Sequence, residues 1–171
     1  TAIEISRSNP NIIYAGVDSN DMTMYRSKDA GKTWQLVHVT GHNGGEAISP
    51  FDSNIVLYTN LEAAVQLTTN GGENWKGVVG NNPETQNYNK PFTAIAFSTD
   101  QPNIVYTAAL RGSTRGGIWP AEPSDIFKST DSGKTWKQVG ICETCSSIQA
   151  IVVKEGDPNF IWVSADGGLQ F

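Results

Sequence analysis

Short apolar runs separated by turn residues follow one another along the whole chain. The first run, Ala2–Ser6, alternates apolar and polar positions, and the run Asn11–Tyr14 follows it after a turn that contains Pro10. Period-two alternation bounded by Asn, Pro, Ser and Gly is typical of β-strands, whereas a helix requires a period of about 3.6 residues. No stretch of the sequence has a convincing helical period. The pattern therefore predicts an all-β protein.

The apolar runs belong to a repeated unit. A run similar to Asn-Ile-Val-Tyr begins at Asn11, Asn54, Asn103 and Asn159, and an Ile-containing run precedes each copy. Two more strands follow in the complete units, and we name the strands A, B, C and D in chain order. Four-stranded units of about 40–50 residues are typical of β-propeller blades. We predict an antiparallel β-propeller segment of about three and a half blades, at 1–40, 45–80, 92–140 and, for the half blade, 147–171.

An octapeptide, Ser/Thr-x-Asp/Asn-x-Gly-x-Thr/Asn-Trp, lies between the C and D strands of each complete unit. Its Asp or Asn is expected to accept backbone N–H groups within a tight turn, its Gly to adopt positive φ, and its Trp to bury a large ring. A calcium loop is the alternative, but the further carboxylates of such a loop are missing. The structural positions are Ser27, Asp29, Gly31, Trp34, Thr68, Asn70, Gly72, Trp75, Ser129, Asp131, Gly133 and Trp136.

This octapeptide resembles the Asp-box, or BNR repeat, of sialidases, sortilin-type receptors, xyloglucanase-type glycoside hydrolases and photosystem II assembly factors. The resemblance implies an Asp-box β-propeller of the sortilin or xyloglucanase type. Because unrelated activities share the repeat, it predicts the fold and leaves the function to the loops.

The last unit stops before an octapeptide would begin. A propeller closes by packing its last blade on its first, which removes exposed sheet edges. We therefore expect the chain to belong to a larger propeller, completed by the rest of a parent protein or by another chain. Assembly of two copies is a second hypothesis.

The charge balance narrows the classes of partner. The chain has 12 Lys and Arg against 17 Asp and Glu, a net charge of −5, whereas nucleic-acid binding requires clustered cations. No apolar run approaches the length of a membrane helix, and no signal peptide is visible at the start. We expect neither nucleic-acid binding nor membrane insertion.

The loops differ in length at the two ends of the predicted strands. The A–B turns and octapeptides are short and uniform, whereas the B–C and D–A connections are long and variable; we call the end that carries these connections the long-loop face. Long loops on a rigid scaffold are where binding and catalysis usually occur. The segment 111–120 combines cations with an indole, which suits a sugar ring, although it could instead pack only on its neighbour. The predicted binding residues are His42, Glu46, Tyr88, Arg111, Arg115 and Trp119.

Asp18 and Asp166 are the candidate catalytic residues. The segment Tyr14–Asp18 resembles the xyloglucanase-type segment in which a catalytic Asp follows Tyr-Ala, although Ser19-Asn20 replaces the usual Gly-Gly. Asp166 occupies the corresponding position of the last unit. Two carboxylates flanking a glycosidic bond are the requirement for its hydrolysis, and loop capping is the alternative role. A sialidase would need an arginine triad, for which Arg7 and Arg26 lie in the wrong places.

Cys142 and Cys145 form a Cys-x-x-Cys pattern that allows three interpretations. A redox motif requires a βαβ context, and a zinc site requires two further ligands, for which only His38 and His42 are available. A local disulfide that pins the D–A connection is favoured over both, and it would indicate an oxidising compartment. We expect no metal and no cofactor.

Together these features favour an extracellular binding or scaffold module, secreted or periplasmic, whose ligand is a glycan or a protein on the long-loop face. The alternative function is a fragment of a secreted glycoside hydrolase that uses a carboxylate pair.

Overall fold

Every described residue lies in a strand, a turn or an irregular connection. The computed structural model describes residues 2–17, 23–39, 43–60, 64–79, 90–110, 123–145, 147–165 and 168–170. Within these ranges there is no helix, and therefore none that could cross a membrane.

Fifteen strands form the described part of the fold. The first sheet contains β1 (Ala2–Ile5), β2 (Ile13–Val17), β3 (Thr23–Ser27) and β4 (Gln35–Val39). The second contains β5 (Asn43–Ile48), β6 (Val56–Asn60), β7 (Ala64–Thr68) and β8 (Lys76–Gly77). The third contains β9 (Phe92–Phe97), β10 (Val105–Leu110), β11 (Ser124–Ser129) and β12 (Lys137–Cys142). The fourth contains β13 (Ile148–Val153), β14 (Ile161–Ala165) and β15 (Gly168–Gln170).

The strands of each sheet are antiparallel and follow one another in chain order. Consecutive sheets contact each other through their first strands, since β5 contacts both β1 and β9, and β9 contacts β13. This is the arrangement of propeller blades around a central channel. The predicted all-β propeller segment with Asp-box turns is confirmed.

The hydrophobic core lies between the sheets. Leu57 of the second sheet and Phe127 of the third belong to one buried cluster, and Ile104 and Ile151 join the third sheet to the fourth in another. A third cluster joins the first two sheets. Each sheet is therefore stabilised by its neighbours, as expected for a repeat architecture in which one unit cannot bury its apolar faces alone.

The first octapeptide is held by hydrogen bonds within the loop. The Ser27 hydroxyl accepts the Gly31 N–H (2.8 Å) and donates to Asp29 Oδ1 (2.8 Å). Asp29 in turn accepts the backbone N–H (2.8 Å) and the hydroxyl (2.6 Å) of Thr33. These bonds, first of all those from Thr33, lower the pKa of Asp29 from 3.8 to about 2. Gly31 has a φ of 87°, a conformation in which a Cβ would be strained.

The other two octapeptides repeat this geometry. Asp131 accepts the backbone N–H (2.9 Å) and the hydroxyl (2.6 Å) of Thr135, as Asp29 does with Thr33. In the second copy, Asn70 Oδ1 accepts the Asn74 N–H (3.0 Å). An amide has one acceptor oxygen where a carboxylate has two, which is why this copy of the repeat is chemically weaker.

The Trp residues of the octapeptides differ in burial. Trp136 is 1% exposed and packs in the cluster between the second and third sheets, whereas Trp34 is 41% exposed. The expectation of a buried ring therefore holds for Trp136 and is wrong for Trp34. The physical reason is position, because among the described residues no other sheet packs on the side of the first sheet where Trp34 lies.

Candidate functional site

The connections of the long-loop face leave the sheets at one end. β2 ends at Val17, β10 at Leu110 and β14 at Ala165, and each of these strands is the second of its sheet. Because the strands alternate in direction, the octapeptides and the A–B turns lie at the opposite end. A ligand of the long-loop face would therefore not contact the octapeptides.

Most of the predicted site residues lie outside the described residues. This is true of both candidate catalytic residues, Asp18 and Asp166, and β2 and β14 each end one residue before them. It is also true of five of the predicted binding residues: His42, Tyr88, Arg111, Arg115 and Trp119. Their roles remain predictions.

Glu46 is the predicted binding residue that the structure describes, and it faces another carboxyl group. It lies in β5, on the side of the second sheet that faces the first, where Glu4 of β1 approaches it. Both side chains are partly buried. Glu4 Oε2 accepts the Ile48 N–H at 2.8 Å, whereas Glu46 Oε1 is buried and has no hydrogen-bond partner among the described residues.

Burial of these two carboxyl groups favours their protonated forms. Desolvation raises the pKa of Glu4 from 4.5 to about 7, the Ile48 N–H opposes the rise, and the charge of Glu46 adds to it. Desolvation also raises the pKa of Glu46. A carboxyl group whose pKa lies near 7 can hold or release a proton at neutral pH.

The two carboxyl groups line a groove of about 250 Å³ along the first strands of the sheets. Apolar side chains of all four sheets, including Ile48, Ile95 and Ile151, line the groove together with Arg7 and Thr99. Among the described residues, no group of three or more His, Cys, Asp or Glu could hold a metal ion. Through Glu4, whose pKa is raised to about 7, the groove can take up and release protons near neutral pH.

Sequence reasoning missed Glu4, although the repeat contains a signal for it. One backbone hydrogen bond closes each A–B turn and aligns the sheets: Ser6, Ser49, Ser98 and Lys154 donate to Ile12, Ile55, Ile104 and Phe160. In this alignment, Glu4 takes the position of Ala47, Ala96 and Val152. A charged residue at a position that is apolar in the other three units marks a site where burial perturbs its pKa.

Cys142 and Cys145 form a disulfide at the end of β12. Ser124 donates its hydroxyl to the Cys145 carbonyl at 3.1 Å, which ties this D–A connection to β11. Cys145 is fully buried and packs between the third and fourth sheets. The disulfide loop is thus part of the packing between these sheets.

These sheets, turns and inner strands define the class of the protein, a segment of an Asp-box β-propeller. Residues 25–36 match the BNR/Asp-box repeat family. Over 144 residues, the chain is 27% identical to the xyloglucanase Xgh74A of Acetivibrio thermocellus, a match that covers 74% of this chain. The chain spans only 16% of the length of that relative.

Solved structures of GH74 enzymes have the same fold. An ancestral GH74 enzyme superimposes with a TM-score of 0.74 at 22% identity, over 98% of this chain and 22% of its own. The GH74 xyloglucanase from Xanthomonas campestris superimposes with a TM-score of 0.71 at 16% identity, over 98% of this chain and 27% of its own. At such identities the likeness establishes the fold and leaves the activity to be tested.

Proposed function

We propose that this chain is the glycan-binding part of a propeller of the glycoside hydrolase type, and that a β-glucan binds across its long-loop face. The observation that carries the proposal is the match to a xyloglucanase over 144 residues, which extends well beyond a single Asp-box. The cations and the indole predicted on the long loops are suited to sugar hydroxyls and to the apolar face of a sugar ring.

In this proposal, Trp119 offers its indole ring to the apolar face of a sugar, and Arg111 and Arg115 donate hydrogen bonds to hydroxyl groups. Asp18 and Asp166 are the carboxylate pair, one acting as general acid and the other as base or nucleophile. The protein is secreted or periplasmic, which the disulfide between Cys142 and Cys145 supports because disulfides persist in oxidising compartments.

Binding and hydrolysis are tested separately with xyloglucan as the probe. Affinity electrophoresis measures retention by the polysaccharide, and release of reducing ends measures hydrolysis. Trp119→Ala is expected to lower retention about tenfold or more, because loss of one stacked ring is worth on the order of 1–2 kcal/mol. Asp18→Asn is expected to abolish hydrolysis and to leave retention unchanged. The matched control is Asp157→Asn, at the A–B turn of the fourth sheet, with no expected effect on either.

The outcomes separate the two functions. Retention that depends on Trp119, without hydrolysis, would support a binding module; hydrolysis that depends on Asp18 would support the enzyme. Wild-type protein that neither binds nor cleaves xyloglucan would contradict the proposal.

A further inference from the structure

One buried carboxyl oxygen in the groove along the first strands lacks a hydrogen-bond partner. Glu46 Oε1 is out of contact with water, and no described residue donates to it. Glu4, on the neighbouring strand β1, has a donor of its own, the Ile48 N–H at 2.8 Å. Buried polar atoms are almost always paired, so an unpaired oxygen beside a groove indicates a donor that a ligand supplies.

The two carboxyl groups lie between adjacent strands of the same chain. β1 contacts β5, and the groove that Glu4 and Glu46 line follows these strands toward the A–B turns, where it reaches Arg7, Pro50 and Thr99. Further sheets of a longer propeller would pack beside the first or the fourth sheet and would leave the inner strands facing the central channel. The groove is therefore part of the channel wall, and it extends toward the end opposite the long-loop face.

The charges along the groove differ by one unit when both carboxyl groups are ionised. Glu4, Glu46 and Arg7 are the charged side chains of its lining, and the other described residues of the lining are uncharged. Desolvation raises the pKa of Glu4, and the charge of Arg7 partly opposes the rise, so the guanidinium acts on the same groove. Two carboxylates and one guanidinium leave a single negative charge, which one monovalent cation balances.

The uncharged part of the wall indicates what kind of cation fits. Ile48, Ile95 and Phe97 present carbon to the groove, which favours an alkyl chain. Its volume of about 250 Å³ equals about eight water molecules of about 30 Å³ each, the room for an amine of a few carbon atoms. Ca²⁺ and Mg²⁺ require about six or more ligands, and the described residues contain no group of three or more His, Cys, Asp or Glu.

We propose that this groove binds a primary alkylammonium ion. Its ammonium group lies between the two carboxylates and donates to Glu46 Oε1 and to Glu4, and its alkyl chain lies along Ile48 and Ile95. The last side-chain torsion of a Glu is soft, so the Glu46 carboxylate can turn its buried oxygen toward the groove. Charge-assisted hydrogen bonds then offset the desolvation of the carboxylates. Protonation alone would remove the charges and still leave Glu46 Oε1 without a partner.

Binding of the ammonium ion is coupled to loss of a proton from the pair. In the free groove the pKa of Glu4 is about 7, and the ionised form is the one that binds. An alkylamine, like Lys with its pKa of about 10.4, stays charged up to pH 8. Between pH 6 and pH 8 the ionised fraction of Glu4 rises from about a tenth to about nine-tenths, so the affinity should rise about tenfold.

Calorimetric titration of the wild-type chain with n-butylammonium chloride tests the site. One ion per chain is expected to bind at pH 8 and to bind about tenfold more weakly at pH 6. Proton release is measured by comparing two buffers of different ionisation enthalpy. The matched ligand is n-butanol, which has the same chain without the charge and is expected not to bind. Butanol that binds equally well, or a butylammonium affinity that is independent of pH, would overturn the proposal.

Two variants test the roles of the carboxyl groups. Glu4→Gln and Glu46→Gln are each expected to lower the affinity at pH 8 about tenfold or more, because the remaining carboxylate is then balanced by Arg7. Glu155→Gln, in the exposed A–B turn of the fourth sheet, is the control and should leave the affinity unchanged. Circular dichroism verifies that each variant is folded, and the titrations of the wild type do not depend on the variants.

The remaining outcomes that contradict the proposal are equally definite. Wild type that binds no butylammonium at millimolar concentration would overturn it, as would folded Glu4→Gln and Glu46→Gln variants with unchanged affinity. No glycan is present in these titrations, so their result is independent of whether the long-loop face binds xyloglucan.

Discussion

At the scale of single residues, Glu4 is the group in which folding most clearly changes the chemistry. Its carboxyl group is placed between two sheets, opposite Glu46 and against aliphatic side chains, with one backbone N–H as its hydrogen-bond donor. One hydrogen bond does not offset the desolvation of a charge. The protonated form is therefore the one that the fold accommodates.

The preference of the fold for protonated Glu4 predicts that stability depends on pH. The pKa of Glu4 is 4.5 without the fold and about 7 within it, so the folded state retains a proton that the unfolded state releases. The free energy of unfolding should then fall as the pH rises from 4.5 to 7. At about 1.4 kcal/mol per pKa unit, the loss is on the order of 3 kcal/mol.

Urea unfolding at several pH values measures this dependence. Glu4→Gln should flatten most of it, because the amide does not titrate, and the smaller slope that remains belongs to Glu46. Glu155→Gln, at the exposed A–B turn of the fourth sheet, is the matched control. An undiminished slope in Glu4→Gln would show that Glu4 is not the responsible group.

At the scale of elements, the second and third octapeptides each join two sheets through their Trp residues. Trp136 lies at the start of β12 and packs on the second sheet, and Trp75 donates its indole N–H to the Val37 carbonyl of the first. The octapeptide thus closes its own turn with hydrogen bonds and places an aromatic ring on the preceding sheet. The contribution of an octapeptide Trp to stability therefore depends on whether another sheet packs against its ring.

A comparison of two Trp variants measures that difference. Trp136→Ala should cost about 3–5 kcal/mol, because it empties a buried site. Trp34→Ala should cost about 1 kcal/mol or less, since its ring is half in water. Urea unfolding of each variant and of the wild type, at one pH, measures the two costs. Equal costs would contradict the assignment of Trp136 to the interface between sheets.

How far the elements follow from the sequence depends on the range of the interactions that form them. The pattern Ser-x-Asp-x-Gly predicts the turns because their hydrogen bonds are local, as those of Asp29 and Asp131 are. Exposure of Trp34 and the raised pKa of Glu4 depend on which sheet lies opposite. Which sheet lies opposite a residue is determined by units many residues apart in the sequence. It can be inferred only after the hydrogen bonds of the A–B turns have aligned the four units.

At the scale of the whole molecule, the two ends of the strands carry different kinds of connection. One end is built from uniform turns whose polar groups bond to each other, as Asp29 does with Thr33. The other end carries connections of unequal length, and these differ in sequence from unit to unit. Repeated parts stabilise the fold, and the parts that do not repeat are available for recognition.

The sequence predicted this division, and with it the fold, from the spacing of the repeats. It could not rank the candidate residues of the site. Asp18 and Trp119 are placed by long connections, whose conformations depend on contacts that no local pattern encodes. The sequence suggested a glycan through the cations and the indole of 111–120, and the similarity to a xyloglucanase supports that proposal.

The most direct test of the central claim is to map where a glycan binds. Backbone amide resonances of the labelled chain would be recorded during titration with a xyloglucan oligosaccharide. The account predicts shifts at the strand ends of the long-loop face, at Val17, Leu110 and Ala165, with none at Gly31 or Gly133 of the octapeptides. Shifts confined to the octapeptide end, or no shifts at saturating oligosaccharide, would contradict it.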